Sequence, residues 1–227
     1  MAISISDAHD FVRGIIKKNK GGFISPKDID RAINRGVADW MSAVISKYHR
    51  TGKFEYDHLI VKRASFSSTP VNAGVLTVPE DYVEGLTIYH TNADGILVEG
   101  TLYSWDEFLE IKNSSILAPD REYPAATIYL DTNSSPKIEF APVPTSGTFL
   151  FTFVYMRKPA TAVYNYTVNN GNITFNPTGS VDIDVADRYY SDIITRALMY
   201  LGITLENNAV TSTEAIMDSN QINDERK

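Results

Sequence analysis

Residues Ser25 to Tyr48 spell out a long amphipathic helix: Ser-Pro-Lys-Asp-Ile-Asp-Arg-Ala-Ile-Asn-Arg-Gly-Val-Ala-Asp-Trp-Met-Ser-Ala-Val-Ile-Ser-Lys-Tyr. Ile29, Ile33, Val37, Trp40, Val44 and Tyr48 recur at every third or fourth position and so share one stripe, which Met41 and Ile45 widen. Ser25 reads as the N-cap, Pro26 brings a preset φ to the first helical position, and Asp28 and Asp30 place negative charge where the helix dipole favours it. Burying side chains of this size is worth about 1.5–3 kcal/mol each before chain entropy is subtracted. A stripe of this width requires at least two further elements to cover it. No catalytic group lies on it, so the helix is a scaffold element.

A shorter helix precedes it. Ser6 reads as its N-cap, and Phe11, Val12, Ile15 and Ile16 form a narrow stripe. Lys17, Lys18 and Lys20 suit its C-terminal end, and Gly21-Gly22 breaks it, so the two helices form a hairpin. After Thr51-Gly52 the period changes from helical to alternating. Strands are expected at Leu59–Val61, Val75–Val78, Val83–Tyr89, Ile96–Tyr103, Ala126–Leu130 and Lys137–Phe140, with a hairpin turn at Asn92-Ala-Asp-Gly95. Ser104-Trp-Asp-Glu107 is a capping box that opens a short helix near 104–112. Thr148–Met156 alternates Phe149, Phe151, Phe153 and Tyr155 with Leu150, Val154 and Met156, so both faces are apolar and the strand belongs at the centre of the β core. Asn169-Asn-Gly171 marks another hairpin.

Helical periodicity returns at Asp184, with Val185, Tyr189, Ile193, Ala197 and Tyr200 on one stripe and Gly202 as the stop. Thr211-Ser-Thr-Glu214 is a second capping box, and 218–227 reads as a flexible polar tail. The layout predicts an α+β protein. A helical bundle built from both chain termini (1–53 and 179–217) carries an inserted antiparallel β-rich domain (54–178), sandwich- or barrel-like.

The chain has 227 residues, no cysteine and a formal net charge of −7. The absence of cysteine excludes disulfides, thiolate metal sites and thiol nucleophiles. The charge argues against a protein that holds nucleic acid by neutralising phosphates. Residues 1–22 contain no apolar core of signal-peptide length, and no run is long enough to span a bilayer, so a cytosolic place of assembly and no membrane partner are expected. His9, His49, His58 and His90 lack metal-ligand spacing and read as surface or edge histidines. Asp182, Asp184 and Asp187 have a short spacing that suits a hard cation, but no calcium-loop pattern surrounds them, and negative charge at a helix start is the favoured reading. Neither a Gly-rich phosphate loop nor a GxSxG elbow is present. No catalytic, cofactor or metal residues are therefore assigned. A two-part domain without such a constellation points to surfaces that bind protein.

Three segments carry a family resemblance. They are the Val78-Pro-Glu-Asp-Tyr82 turn leading into Val83–Ile88, the strand end Tyr155-Met-Arg-Lys-Pro159, and the helix Ala186–Leu198 entered from an acidic loop. With the two N-terminal helices, they make the chain resemble the head-to-tail connectors of short-tailed phages, namely the tail tubular A adaptors and the ring proteins of crAss-like phages. The resemblance covers nearly the whole chain in order, although each motif alone is short. It implies a structural virion protein of the tail or neck, assembled in the bacterial host cytoplasm. In such a family the subunit forms a cyclic homo-oligomer, with a dodecamer expected, between the portal and the next tail or ring protein. DNA passes through the ring without sequence-specific binding. On this reading the interface residues are Trp40, Tyr48, Phe149, Phe151, Phe153, Tyr155, Tyr189 and Tyr200. Two other readings compete with it. One is a β-sandwich module that binds a host-surface glycan through Tyr103, Trp105 and Tyr129. The other is a hydrolase using paired carboxylates among Glu99, Glu107, Asp131 and Glu139.

Overall fold

The computed structural model describes residues 2–19, 24–52, 61–66, 74–91, 96–120, 122–143 and 151–203. The predicted turns at Gly21-Gly22 and Asn92–Gly95, strand residues Leu59, Ile60, Phe149 and Leu150, the capping box at Thr211 and the tail 218–227 lie outside the described residues. The fold is mixed α+β, with four α-helices among the described residues. In order, the elements are β1 (Ala2–Ile3), α1 (Ile5–Asn19), α2 (Pro26–Thr51), β2 (Val61–Phe66), β3 (Val75–Thr77), β4 (Tyr82–Thr91) and β5 (Leu97–Tyr103). There follow α3 (Trp105–Asn113), β6 (Ala125–Leu130), β7 (Pro136–Ala141), β8 (Phe151–Arg157), β9 (Tyr166–Asn169), β10 (Asn172–Phe175), β11 (Ile183–Ala186) and α4 (Tyr190–Tyr200). They group into two compact units. One comprises described residues within Met1–Gly52, Thr161–Ile183 and Asp187–Lys227, the other those within Lys53–Ala160 and Asp184–Ala186.

In the first unit, α2 follows its sequence signals closely. The Asp28 amide donates to Ser25 Oγ at 3.2 Å, Pro26 opens the helix, and Gly52 at φ 65° closes it by donating to the Tyr48 carbonyl at 2.8 Å. Ile29, Ile33, Val37, Trp40 and Met41 are buried, whereas Val44, Ile45 and Tyr48 are half-buried, so the stripe loses cover towards its end. Helix α4 crosses α2 at Gly36, where an added Cβ would lie 2.7 Å from the Ile193 carbonyl oxygen. Helix α1 is capped by Ser4 rather than Ser6, because the Asp7 amide reaches Ser4 Oγ at 3.3 Å. Its buried face is Ile5, Ala8, His9, Val12 and Ile16, and Phe11 lies outside that face. His9 is thus a core residue, not a surface one. Its Nε2 meets Asp30 Oδ1 at 2.8 Å and its ring stacks on Tyr164 at 4.0 Å.

Two expectations for this unit need correction. The β9–β10 hairpin belongs here and not with the large sheet, so the predicted limit of the β domain at 178 is too late. The cause is local: Asn34 bonds both the N–H and the carbonyl of Ala162, and Asp30 accepts from the Tyr164 amide, which fastens the entry to the hairpin onto α2. Helix α4 also begins six residues later than its apolar period suggests. Ile183 and Val185 are buried in alternation with half-buried Asp184 and Ala186, a period-two pattern that makes a strand first. At its far end Gly202 at φ 69° completes a Schellman cap, in which the Ile203 amide donates to Leu198 and the Gly202 amide to Met199, both at 3.0 Å.

Among its described residues the second unit holds α3 and one seven-stranded sheet in the order β2-β8-β4-β5-β6-β7-β3. It is neither purely antiparallel nor a two-sheet sandwich, because β5 and β6 run parallel, joined by a crossover through α3. The capping box does open α3, with the Ser104 amide and hydroxyl donating to Glu107 Oε2 at 3.2 and 2.7 Å. Strand β8 is buried on both faces, as its sequence requires. Phe151, Phe153 and Tyr155 join Ile88, Ile138 and Phe140 in the main apolar cluster. Gly100 lets β5 approach its surroundings, since a Cβ there would lie 2.5 Å from the Pro124 carbonyl oxygen and 2.7 Å from Ile88.

Candidate interaction surfaces

Two of the three segments that carry the resemblance, the Val78–Tyr82 turn and the Tyr155–Pro159 strand end, meet within the second unit, whereas residues 187–198 of the third belong to the first unit. The turn closes with the Tyr82 amide donating to the Pro79 carbonyl at 3.0 Å. Asp81, at its tip, accepts from Tyr155 Oη at 2.9 Å and from Lys62 Nζ at 2.5 Å, and its carbonyl accepts from the Lys158 amide at 2.6 Å. Two residues along β8 from Tyr155, Arg157 pairs with Asp184. Burial pushes the Asp81 carboxyl up, but the Lys62 and Tyr155 hydrogen bonds and the Lys62 charge outweigh it and hold the pKa below the ordinary carboxylate value. Burial and the hydrogen bond to Asp81 push the Tyr155 phenol up to about 12. This cluster is a clasp that fixes the turn to β8.

The aromatic residues expected at an interface are placed unequally. Trp40 is 2% exposed and packs on half-buried Tyr189 at 4.8 Å. Phe151, Phe153 and Tyr155 are also buried within the chain itself, where Phe151 stacks on Phe140 at 4.3 Å and Phe153 on Tyr155 at 5.3 Å. An alternating aromatic strand signals burial without saying whether its cover comes from the same chain. Here it does, and these four residues are unavailable as a surface. Phe149 lies outside the described residues. Tyr48 is half-buried. Tyr200 is 45% exposed; its hydroxyl meets Asp39 Oδ2 at 2.5 Å, and the Arg35 guanidinium lies 5.4 Å from its ring centre.

Two surfaces were not picked out by sequence reasoning. The first is the loop after α3, where Ile116 is 89%, Leu117 68% and Tyr123 76% exposed. Ser114 Oγ accepts from the Ile116 and Leu117 amides at 3.2 and 3.0 Å, and Asp120 Oδ1 accepts from the Glu122 and Tyr123 amides, both at 2.8 Å. The backbone is thus locally tied while the apolar side chains stay in water. An aperiodic Ile-Leu pair in a Ser/Pro-rich loop was the available signal. The second is a groove of about 850 Å³ in the first unit, between α2 and residues 161–163. Ala32, Ala38, Ala162, Val163 and Leu201 supply apolar lining. Lys27, Arg31 and Arg35 follow at i, i+4 and i+8 along one line of α2 beside it, a spacing already visible in the sequence. Arg31 pairs with Asp28 at 3.2 Å, whereas among the described residues Lys27 and Arg35 are in no ion pair.

The acidic residues have separate structural tasks. Glu99 accepts from Thr87, Glu107 caps α3, Asp131 accepts amides of its own turn, and Glu139 pairs with Lys112. Hydrogen bonds from Ser104 lower the Glu107 pKa, and backbone hydrogen bonds lower that of Asp131, opposite to the upward shift a general acid needs. Asp182 accepts the Ile5 amide at 3.0 Å and Asp184 holds Arg157, so neither is reserved for a cation. Among the described residues no three His, Asp or Glu side chains gather as metal ligands, and no helix is long and apolar enough to cross a membrane. The chain matches no protein-family model and no curated protein.

Proposed function

We propose that this chain is a non-enzymatic structural subunit of a phage virion. It forms a ring in the neck between portal and tail, extends the DNA channel and docks the next tail component. The observation that carries this reading is the Ile116–Tyr123 loop, which keeps three large apolar side chains in water on a hydrogen-bonded backbone. Exposed apolar groups of this kind mark protein contacts. A closed ring needs two unlike faces on each subunit, and the loop and the groove are unlike. The finer architecture proposed is that α1, α2 and α4 form one bundle from both chain ends, with the β-rich unit inserted between those ends in the sequence. Support comes from the α2–α4 crossing at Gly36 and from the edge contact of Phe11 with Tyr190 at 5.9 Å. The net charge of −7 suits a channel that DNA passes without adhering.

Co-expression with a candidate portal protein, followed by affinity capture and negative-stain microscopy, tests the reading. A ring stacked on the portal is expected; a portal that never retains the chain would contradict it. A second reading has its own observation. Trp105, 38% exposed, packs on Tyr129 at 4.4 Å, an aromatic pair of the kind that binds sugars. Glycan-array binding that disappears in Trp105→Ala would favour it over the ring.

A further inference from the structure

The loop and the groove described above have matching chemistry. Ser114 holds the amides of Ile116 and Leu117, and Asp120 holds those of Glu122 and Tyr123, which lowers the cost of ordering these residues on docking. The groove beside α2 offers alanine, valine and leucine surface of the kind that would receive them. Charges agree as well. Lys27 and Arg35 stand at the groove without a carboxylate partner among the described residues, while Asp120 and Glu122 are exposed next to Tyr123, and with Arg121 between them in the sequence the stretch keeps a net charge of −1. The nearby acids of the groove are already engaged, Asp28 by Arg31 and Ser25, and Asp30 by His9 and the Tyr164 amide.

We infer that residues 114–120 and 122–123 of one copy dock in the α2 groove of a second copy, with Ile116 and Leu117 on the apolar lining and Asp120 and Glu122 towards Lys27 and Arg35. The contact is heterologous, one patch meeting a different patch, which is the kind that propagates into rings. It rests on the chain assembling with itself, and the test separates the two claims.

The full-length chain, with the photo-crosslinker p-benzoylphenylalanine in place of Leu117, is irradiated as an equal mixture of isotopically labelled and unlabelled protein. Mass spectrometry should find mixed-label links from position 117 to residues 27–38 or 161–163. In parallel, sedimentation compares the unmodified chain with Ile116→Asp/Leu117→Asp and with Lys27→Glu/Arg35→Glu, each checked for unchanged circular dichroism. Both should weaken self-association about tenfold or more. Links to another surface, or only within one chain, overturn the docking, as does undiminished assembly of the aspartate variant, and the ring itself survives those results. An unmodified chain that stays monomeric at every concentration and gives no mixed-label link overturns both.

Discussion

Single residues decide whether the aromatic strand acts as core or as surface. Phe153 is fully buried in the main cluster of its unit, so Phe153→Ala should destabilise the chain by about 3–5 kcal/mol in urea unfolding. A substitution that leaves stability intact and only weakens assembly would return Phe153 to an interface. Tyr155 adds a pH signature. Its phenol, like that of Tyr82, is raised to about 12 against an ordinary value of 10.0, so the folded chain keeps a proton that the unfolded chain releases. Their contribution is fully present below pH 10 and falls as the pH rises towards 12. Equilibrium unfolding across that range should show falling stability, with a shallower slope in Tyr155→Phe. Asp81 has the opposite sign: its lowered pKa gives stability that is present above the unfolded value and is lost as pH falls through the folded one. Asp81→Asn should flatten the acid limb and cost about 1–3 kcal/mol at neutral pH, because its Lys62 and Tyr155 partners lose a charged acceptor.

At the scale of elements, two glycines in the helices separate packing from propensity. Gly36 lies against the α4 backbone, and a Cβ 2.7 Å from a carbonyl cannot be relieved by a side-chain rotation. Gly36→Ala should cost about 1–3 kcal/mol. Gly14 in α1 meets nothing within 4 Å, and Gly14→Ala should stabilise by about 0.5–1 kcal/mol. Thermal unfolding of both variants checks the pair; equal shifts of the same sign would contradict the helix crossing. These elements also show how far the sequence could be read. The α2 stripe, its Ser25 and Gly52 ends, the α3 capping box, the Gly202 stop and the two-faced β8 were all legible, since each depends on local periodicity or a single cap. What local signals do not carry is which strands pair. The parallel β5–β6 register and the transfer of the β9–β10 hairpin to the helical unit arise from long-range contacts such as Asn34 with Ala162. His9 shows the same limit: a lone histidine reads as a surface residue until Asp30 and Tyr164 are placed beside it.

At the scale of the whole molecule, the candidate site was less legible than the fold. Four of the proposed interface aromatics serve the chain's own core, whereas Ile116, Leu117 and Tyr123, three of its exposed apolar side chains, sit in an aperiodic loop where sequence periodicity has nothing to report. A subunit with its acids tied into caps and turns, apolar groups held in water and cations beside a groove is suited to binding protein. The central claim is that copies of this chain close into a circle. Mass photometry of the purified protein over a concentration series, alone and with a candidate portal protein, addresses that claim directly. A single discrete species of fixed subunit number, retained on the portal, is the predicted result. A monomer under every condition, or an open series of masses without a closed end point, would contradict it.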